Sequence, residues 1–403
     1  MKPIYLDYAA TTPLDKKVID SMTPFLEQEG GFGNPSSLHS FGQRAMAAID
    51  GARIMLAKTI AANHREIIFT SGATEANNLI IRGILKSFFK NKKNSSADKQ
   101  NCSITPRIIV SEIEHPSVLE TVKILEKEGA IEAVYLPVDR FGVVDTAALE
   151  RSLNDRTILV SVMWVNNETG AVQPIEKISK IIELFKKNEG KNYGGNYPLF
   201  HTDAVQAFNC FDLNVIKSGV DLMTLSSHKV YGPKGAGASY IKNGVEILIE
   251  PIITGGDQEY GLRSGTENVP AIVGFASAAH IAHNTYKTEF ERLKKMSERF
   301  FKKIKKEFPE VEINGSDSGR SPHIINLYFP GHENLGLVMD MAGIAASSGS
   351  ACSQRYEKPS HVLRAMSLDA SRIKNSIRFS FGRFTEAKDI DDAIGRIIMS
   401  LNK

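Results

Sequence analysis

Apolar and polar positions along this chain follow two periods, one near two residues and one near 3.6. Ile4-Tyr5-Leu6 is a short apolar run stopped by Asp7, and it predicts a strand. The strand delivers a turn over Tyr8-Ala9-Ala10-Thr11-Thr12-Pro13, with Pro13 suited to the start of a new element. Gly30-Gly31-Phe32-Gly33-Asn34-Pro35 is rich in turn formers and predicts a loop. From Ser40 to Ile60, Phe41, Ala45, Ala48, Ala52 and Leu56 recur at spacings of three and four, which predicts a helix. Ile67-Ile68-Phe69 predicts a buried strand running into Thr70-Ser71-Gly72-Ala73-Thr74-Glu75, then a helix from about Ala76 to Phe89. The polar stretch 91–105 predicts an exposed insertion.

Further strands are predicted at Arg107–Val110, Ala133–Leu136, Thr157–Met163, Leu199–Asp203 and Leu222–Ser226. Strands and helical segments thus alternate from about residue 60 to 230. That is the signature of an α/β fold with a mostly parallel sheet and helices on both faces. Each of these strands ends at polar or glycine-bearing residues. Open α/β sheets bind ligands beyond the carboxyl ends of their strands, so the site belongs there. A long helix is predicted from about Ala271 to Phe308. Strands at Ile324–Phe329 and Ser376–Phe381, with a short helix over His361–Leu368, then predict a smaller α+β unit.

Length and composition narrow the picture. A chain of 403 residues is too long for one small core, so two domains are expected. Forty-nine basic and 46 acidic residues leave a net charge of +3, which gives no strong pull toward nucleic acid or an anionic membrane. Lys186-Lys187 and Lys294-Lys295 sit at helical spacing among apolar residues and read as solvated faces. Three cysteines without a CxxC argue against a disulfide framework or a cysteine-rich metal site. The N-terminus lacks a signal-peptide pattern and no run of 18 apolar residues occurs, so the chain reads as cytoplasmic.

Chemistry enters at the strand exits. Lys229 lies in Ser227-His228-Lys229, after an apolar strand and before Tyr231-Gly232-Pro233-Lys234-Gly235. On its own such a lysine is a solvated surface residue; deprotonated in a site, its amine can form a Schiff base with an aldehyde cofactor. Asp203 ends another apolar strand, where it is either a helix cap or the carboxylate that pyridoxal phosphate needs beside its ring nitrogen. Gly72-Ala73-Thr74 opens a helix, where free N–H groups cap the chain or cradle a phosphate, with Ser226 and His228 as further donors.

Taken together, these segments resemble the cysteine desulfurases, fold-type-I pyridoxal-phosphate enzymes, over nearly the whole chain. The resemblance is carried by Tyr5 to Pro13, Gly33-Asn34-Pro35-Ser36-Ser37, Thr70 to Glu75, Glu114-His115, Val165-Asn166-Asn167-Glu168, Ser227 to Gly235, Arg263-Ser264-Gly265-Thr266, Ser348-Gly349-Ser350-Ala351-Cys352 and Arg378-Phe379-Ser380. It implies that Lys229 forms the Schiff base and that His115 stacks on the cofactor ring and assists proton transfer. Asp203 is then the ring-nitrogen partner and Gln206 the donor to the phenolate oxygen. Thr74, Ser226 and His228 become phosphate ligands, joined by the Ala73 backbone. Asn166 and Arg378 become the groups that recognise the substrate carboxylate. Thr266 matches a residue that reaches the neighbouring subunit's cofactor, which implies a homodimer.

Cys352 follows small residues and precedes charged ones, so it reads as a thiol on an exposed, mobile loop over about 345–360. Cys210 reads as packed and Cys102 as incidental. The resemblance implies a large cofactor-binding domain over 13–265, with 1–12 and 266–403 forming the small one. The expected reaction converts L-cysteine to L-alanine and a Cys352 persulfide, for delivery to a sulfur-acceptor protein in iron–sulfur cluster assembly or thiolation. The tail after the last helix is shorter than the one with which housekeeping members dock an iron–sulfur scaffold, which leaves the acceptor open. A selenocysteine lyase or another fold-type-I enzyme is the alternative, and a non-catalytic scaffold protein the remote one. Neither a membrane nor direct DNA binding is expected.

Overall fold

The computed structural model describes residues 2–28, 30–94, 105–189, 196–347 and 359–402. In chain order the first elements are β1 (Ile4–Tyr5), α1 (Lys16–Met22), α2 (Ser40–Thr59), β2 (Ile67–Thr70), α3 (Ala73–Asn94), β3 (Arg107–Ser111), α4 (Pro116–Lys127), β4 (Glu132–Leu136), α5 (Thr146–Ser152), β5 (Thr157–Ser161) and α6 (Ile175–Glu189). There follow β6 (Leu199–Asp203), α7 (Val215–Ser218), β7 (Leu222–Ser226), β8 (Gly237–Ile241), α8 (Val269–Glu307), β9 (Glu312–Ile313), β10 (Ile324–Tyr328), α9 (Leu335–Met341), β11 (Ile344–Ala345), α10 (His361–Ala365), α11 (Ala370–Lys374), β12 (Ser376–Ser380) and α12 (Ala387–Leu401).

The large sheet has seven strands in the order β2-β8-β7-β6-β5-β3-β4. Strands β7, β6, β5, β3 and β4 pair in parallel, and β8 runs antiparallel to both β2 and β7. The central strands are apolar along their length because both faces are covered, as parallel sheets require. Successive side chains point to opposite faces, and the packing follows that rule. Ile109, Val160 and Met223 pack under α2 and the first half of α8, whereas Ile108, Val110, Leu159 and Leu222 pack under α3 and α4.

A second unit is built on the antiparallel sheet β12-β10-β9, covered by α12 and the second half of α8. Ile4 and Leu6 join this core, and β1 pairs with β11, so the N-terminus belongs with the C-terminal unit. These two cores give the chain a large and a small domain. Helix α8 serves both: Ile272, Phe275 and Ala279 pack in the large core, and Leu293, Phe300 and Ile304 in the small one.

The structure departs from the sequence reading in detail. Strand β8 was not anticipated, because Gly237-Ala238-Ser239 has weak strand propensity. Its small start is required by its neighbour: a Cβ on Gly237 would sit 2.7 Å from the backbone of Gly72. Helix α3 begins at Ala73 rather than near Ala76 and continues to Asn94. On α2, Phe41 is exposed and Ile49 fills the buried stripe between Ala45 and Ala52. Most of the polar insertion, residues 95–104 with Cys102, lies outside the described residues.

Candidate active site

A cavity of about 420 Å³ lies beyond the carboxyl ends of β2, β3, β5, β6 and β7, where the sheet order places a ligand. Ala73, Thr74, His115, Asp203, Gln206, Ser226, His228 and Lys229 all line it. The structure thus brings together eight residues that the sequence scatters over Ala73 to Lys229.

Each wall has a local cause. Ala73 and Thr74 open α3, whose first N–H groups have no acceptor within the helix. Across the cavity, β7 ends at Ser226 and the chain tightens into a single turn over Ser227–Lys229. Lys229 Nζ donates to the carbonyl oxygens of Ala9 and Ala10, each at 2.6 Å. The residues around Tyr8 to Thr12 are therefore part of the same wall. His228 meets the Thr11 hydroxyl at 3.1 Å. Burial pushes its pKa down to about 4, helped by the positive Lys229 and Lys234, so it is neutral at neutral pH.

Asp203 ends β6 and is 5% exposed. Its Oδ1 accepts from the Val205 N–H at 3.1 Å, and its Oδ2 accepts from Asn77 Nδ2 at 2.9 Å. The same Asn77 amide donates to Ser117 Oγ at 2.8 Å, which contacts His115 Nδ1 at 2.8 Å. His115 caps α4, with Nδ1 accepting from the Ser117 N–H at 3.2 Å. Nδ1 therefore carries the lone pair, and the neutral ring holds its proton on Nε2. Burial lowers the His115 pKa, against the pull of Asp203 in the other direction.

Asn77 was not singled out from the sequence, although a signal exists. It is a polar residue with no exposure on the buried stripe of α3, beside Ile80, Ile81 and Ile84. Glu114 is another. It is fully buried, with Oε1 accepting from Ser111 Oγ at 2.5 Å and Met163 N at 2.7 Å. Burial raises its pKa to about 8, so its carboxyl is protonated at neutral pH.

Three further predicted residues do not line the cavity. Asn166 has no exposure; its amide donates to the Ile113 carbonyl at 3.1 Å, and its oxygen accepts from the N–H groups of Glu168 and Thr169. Its neighbour Asn167 lines the cavity instead. Arg378 is 1% exposed, paired with Asp7 at 2.7 Å and donating to the Asn167 carbonyl at 2.7 Å. Its Nε has no partner among the described residues. Thr266 is exposed, on the segment between β8 and α8.

Cys352 lies outside the described residues. Residues on both sides of its segment are anchored beside the site. Ser347 exchanges backbone hydrogen bonds with Arg378, and Ser360 Oγ donates to buried Glu168 at 2.5 Å. Cys210 is buried, and burial pushes its thiol pKa up to about 12. Among the described residues, no helix is long and apolar enough to cross a membrane.

Comparison with known proteins agrees with this geometry. Residues 4–392 match the family model for class-V aminotransferases. Cysteine desulfurase IscS of Rickettsia typhi is 41% identical over 402 residues, covering 100% of this chain and 92% of that protein. Cysteine desulfurase IscS of Dictyoglomus turgidum is 43% identical over 405 residues, covering 99% and 95%. A solved structure of a NifS-like protein superposes with a TM-score of 0.87 at 33% identity, over 99% of both chains. The solved structure of SspA in complex with cysteine superposes with a TM-score of 0.77 at 33% identity, over 95% of this chain and 100% of that one.

Proposed function

The chain belongs to the class-V aminotransferase family as a cysteine desulfurase of the IscS and NifS kind, and from that premise we propose how its own residues divide the work. The relatives are pyridoxal-phosphate enzymes, and the residues of this cavity fit that group. One end offers unpaired N–H groups and hydroxyls for a phosphate, the middle a buried carboxylate, and the facing wall a lysine amine. When bound, pyridoxal phosphate supplies an aldehyde that captures an amino group and a ring that withdraws electrons.

In this reading Lys229 would hold the cofactor through its side-chain amine. Thr74, Ser226, His228 and the Ala73 N–H hold the phosphate. Asp203, oriented by Asn77 and Val205, accepts from the ring nitrogen and keeps it protonated. Gln206 donates to the phenolate oxygen. His115 would support the cofactor ring, and its Nε2, the ring nitrogen not engaged by Ser117, would exchange a proton with the substrate. Arg378 recognises the substrate carboxylate. In support, its guanidinium is held in place by Asp7 and the Asn167 carbonyl, while its Nε has no partner among the described residues. Asn166 assists by shaping the turn that presents Asn167.

The Cys352 thiolate then bonds the substrate sulfur as the carbon–sulfur bond breaks. The electron pair stays with the carbon skeleton, and protonation yields alanine. The persulfide passes to a sulfur-acceptor protein, an iron–sulfur scaffold or a thiolation partner. We assign 13–265 to the large domain, and 1–12 with 266–403 to the small one, with α8 packing against both. We further assign a homodimer, in which exposed Thr266 reaches the neighbouring subunit's cofactor, and a cytoplasmic setting.

The observation that carries this reading is the meeting of Lys229, Asp203, His115 and the start of α3 around one cavity. The test is alanine formation from L-cysteine by the purified protein, together with its visible cofactor absorption. Loss of bound absorption in Lys229→Ala and loss of alanine in Cys352→Ala are expected. Undiminished alanine from Cys352→Ala would reject the thiol's role. Turnover of selenocysteine alone would favour the lyase.

A further inference from the structure

Behind the cavity wall, a buried histidine settles which way a catalytic amide points. Gln206 is 7% exposed and lines the cavity. Its Nε2 lies 2.9 Å from the Ala9 carbonyl oxygen, and its Oε1 lies 3.4 Å from His323 Nε2. His323 Nδ1 lies 2.7 Å from Ser321 Oγ and 3.5 Å from Cys210 Sγ. His323, Gln206 and Lys229 also share a small second pocket.

The direction of every bond in this chain follows from one group. A backbone carbonyl only accepts, so the Gln206 atom facing Ala9 must be the amide nitrogen. The reverse orientation would set two oxygens 2.9 Å apart with no proton between them. The Gln206 oxygen therefore faces His323, and His323 Nε2 must carry a proton. Burial pushes the His323 pKa down to about 3, so the ring is neutral and holds only one proton. Nδ1 is then a lone pair, which the Ser321 hydroxyl and the Cys210 thiol satisfy.

We propose that His323 is a positioning residue, whose Nε2–H fixes Gln206 as a hydrogen-bond donor toward the cofactor. The proposal rests on the reading of Gln206 given above. Gln206 has two N–H bonds: one is held by Ala9, and the second has no partner among the described residues. With its oxygen engaged by His323, Gln206 presents that second N–H to the cavity. Without His323, the buried Oε1 loses its donor and the amide is no longer held to one orientation. A donor at the cofactor's phenolate stabilises negative charge there. It stabilises it most when the neighbouring nitrogen has lost its proton, so it lowers the pH at which the visible absorption titrates.

The experiment has two readouts. In ¹⁵N-histidine-labelled wild-type protein, with and without bound cofactor, the ring shifts of His323 should report a protonated Nε2 and a bare Nδ1 from pH 6 to 8. A protonated Nδ1 overturns the proposal without any variant. In the loaded enzyme, Gln206→Leu and His323→Leu should both raise the absorption midpoint, by about one pH unit, the size of a lost hydrogen bond to a charged group. His323→Gln, which retains an amide donor near the Nε2 position, should restore it. A shift in Gln206→Leu with none in His323→Leu overturns the role of His323 alone. No shift in Gln206→Leu removes the reading of Gln206, and the proposal with it.

Discussion

Replacing Glu259 by alanine should destabilise the fold far from the chemistry. Arg53, on α2, meets Glu259 through two hydrogen bonds of 2.7 and 2.6 Å, and both residues are 5% exposed. Arg53 also donates to the Ile67 carbonyl, and Glu259 accepts from the Phe69 N–H at 2.7 Å. The pair therefore clamps α2 and β2 to the segment that leads toward Thr266. Removing one partner of a buried pair costs about 3–5 kcal/mol, because the other charge stays buried without compensation. Asp257, Glu259 and Tyr260 all have φ between 50 and 58°, and relaxing that backbone recovers about 1 kcal/mol. The net loss is about 3 kcal/mol. At an unfolding entropy of roughly 2 cal/mol/K per residue, the melting temperature should fall by about 4 °C. Scanning calorimetry of the loaded enzyme measures it. Arg53→Met with Glu259→Leu should recover most of the loss, since a buried pair replaced by apolar groups leaves no stranded charge. A Glu259→Ala protein melting within about 1 °C of wild type would refute the reasoning.

Glu114 should make stability depend on pH. Its folded pKa is raised to about 8, so between the ordinary carboxylate range and about pH 8 the folded chain keeps a proton that the unfolded chain releases. Stability contributed by this group therefore falls as pH rises through that window, and Glu114→Gln should show a flatter melting-temperature profile; parallel profiles would contradict this. Cys210, with its thiol pushed up to about 12, should stay unalkylated in the native protein at pH 7.5, as peptide mass mapping would show. Asp203→Asn should bind the cofactor yet lose at least about 100-fold in kcat/KM, because a neutral amide no longer holds the ring nitrogen protonated. Near-normal turnover would remove Asp203 from its assigned role.

Much of this fold is legible in the sequence, because the central strands are apolar on both faces and their exits are polar. Every strand of the large sheet except β8 follows from that contrast, and β8 hides behind Gly237, where the close approach of Gly72 forbids a side chain. Lys229, Asp203 and the start of α3 were legible as strand exits. Asn77 and His323 were not, since each acts through a partner distant in the chain: Asp203 is 126 residues from Asn77, and Gln206 is 117 from His323. The exchange of Asn166 for Asn167 at the cavity wall has the same origin. A tight turn held by the Asn166 oxygen decides which of two adjacent amides faces inward, and adjacency alone does not reveal it.

The most direct test of the assignment is to reduce the loaded enzyme with borohydride and map the peptides by mass. The account predicts a single pyridoxyl phosphate adduct, on the peptide containing Lys229 and lost in Lys229→Ala. An adduct on another lysine, or none at all, would contradict it.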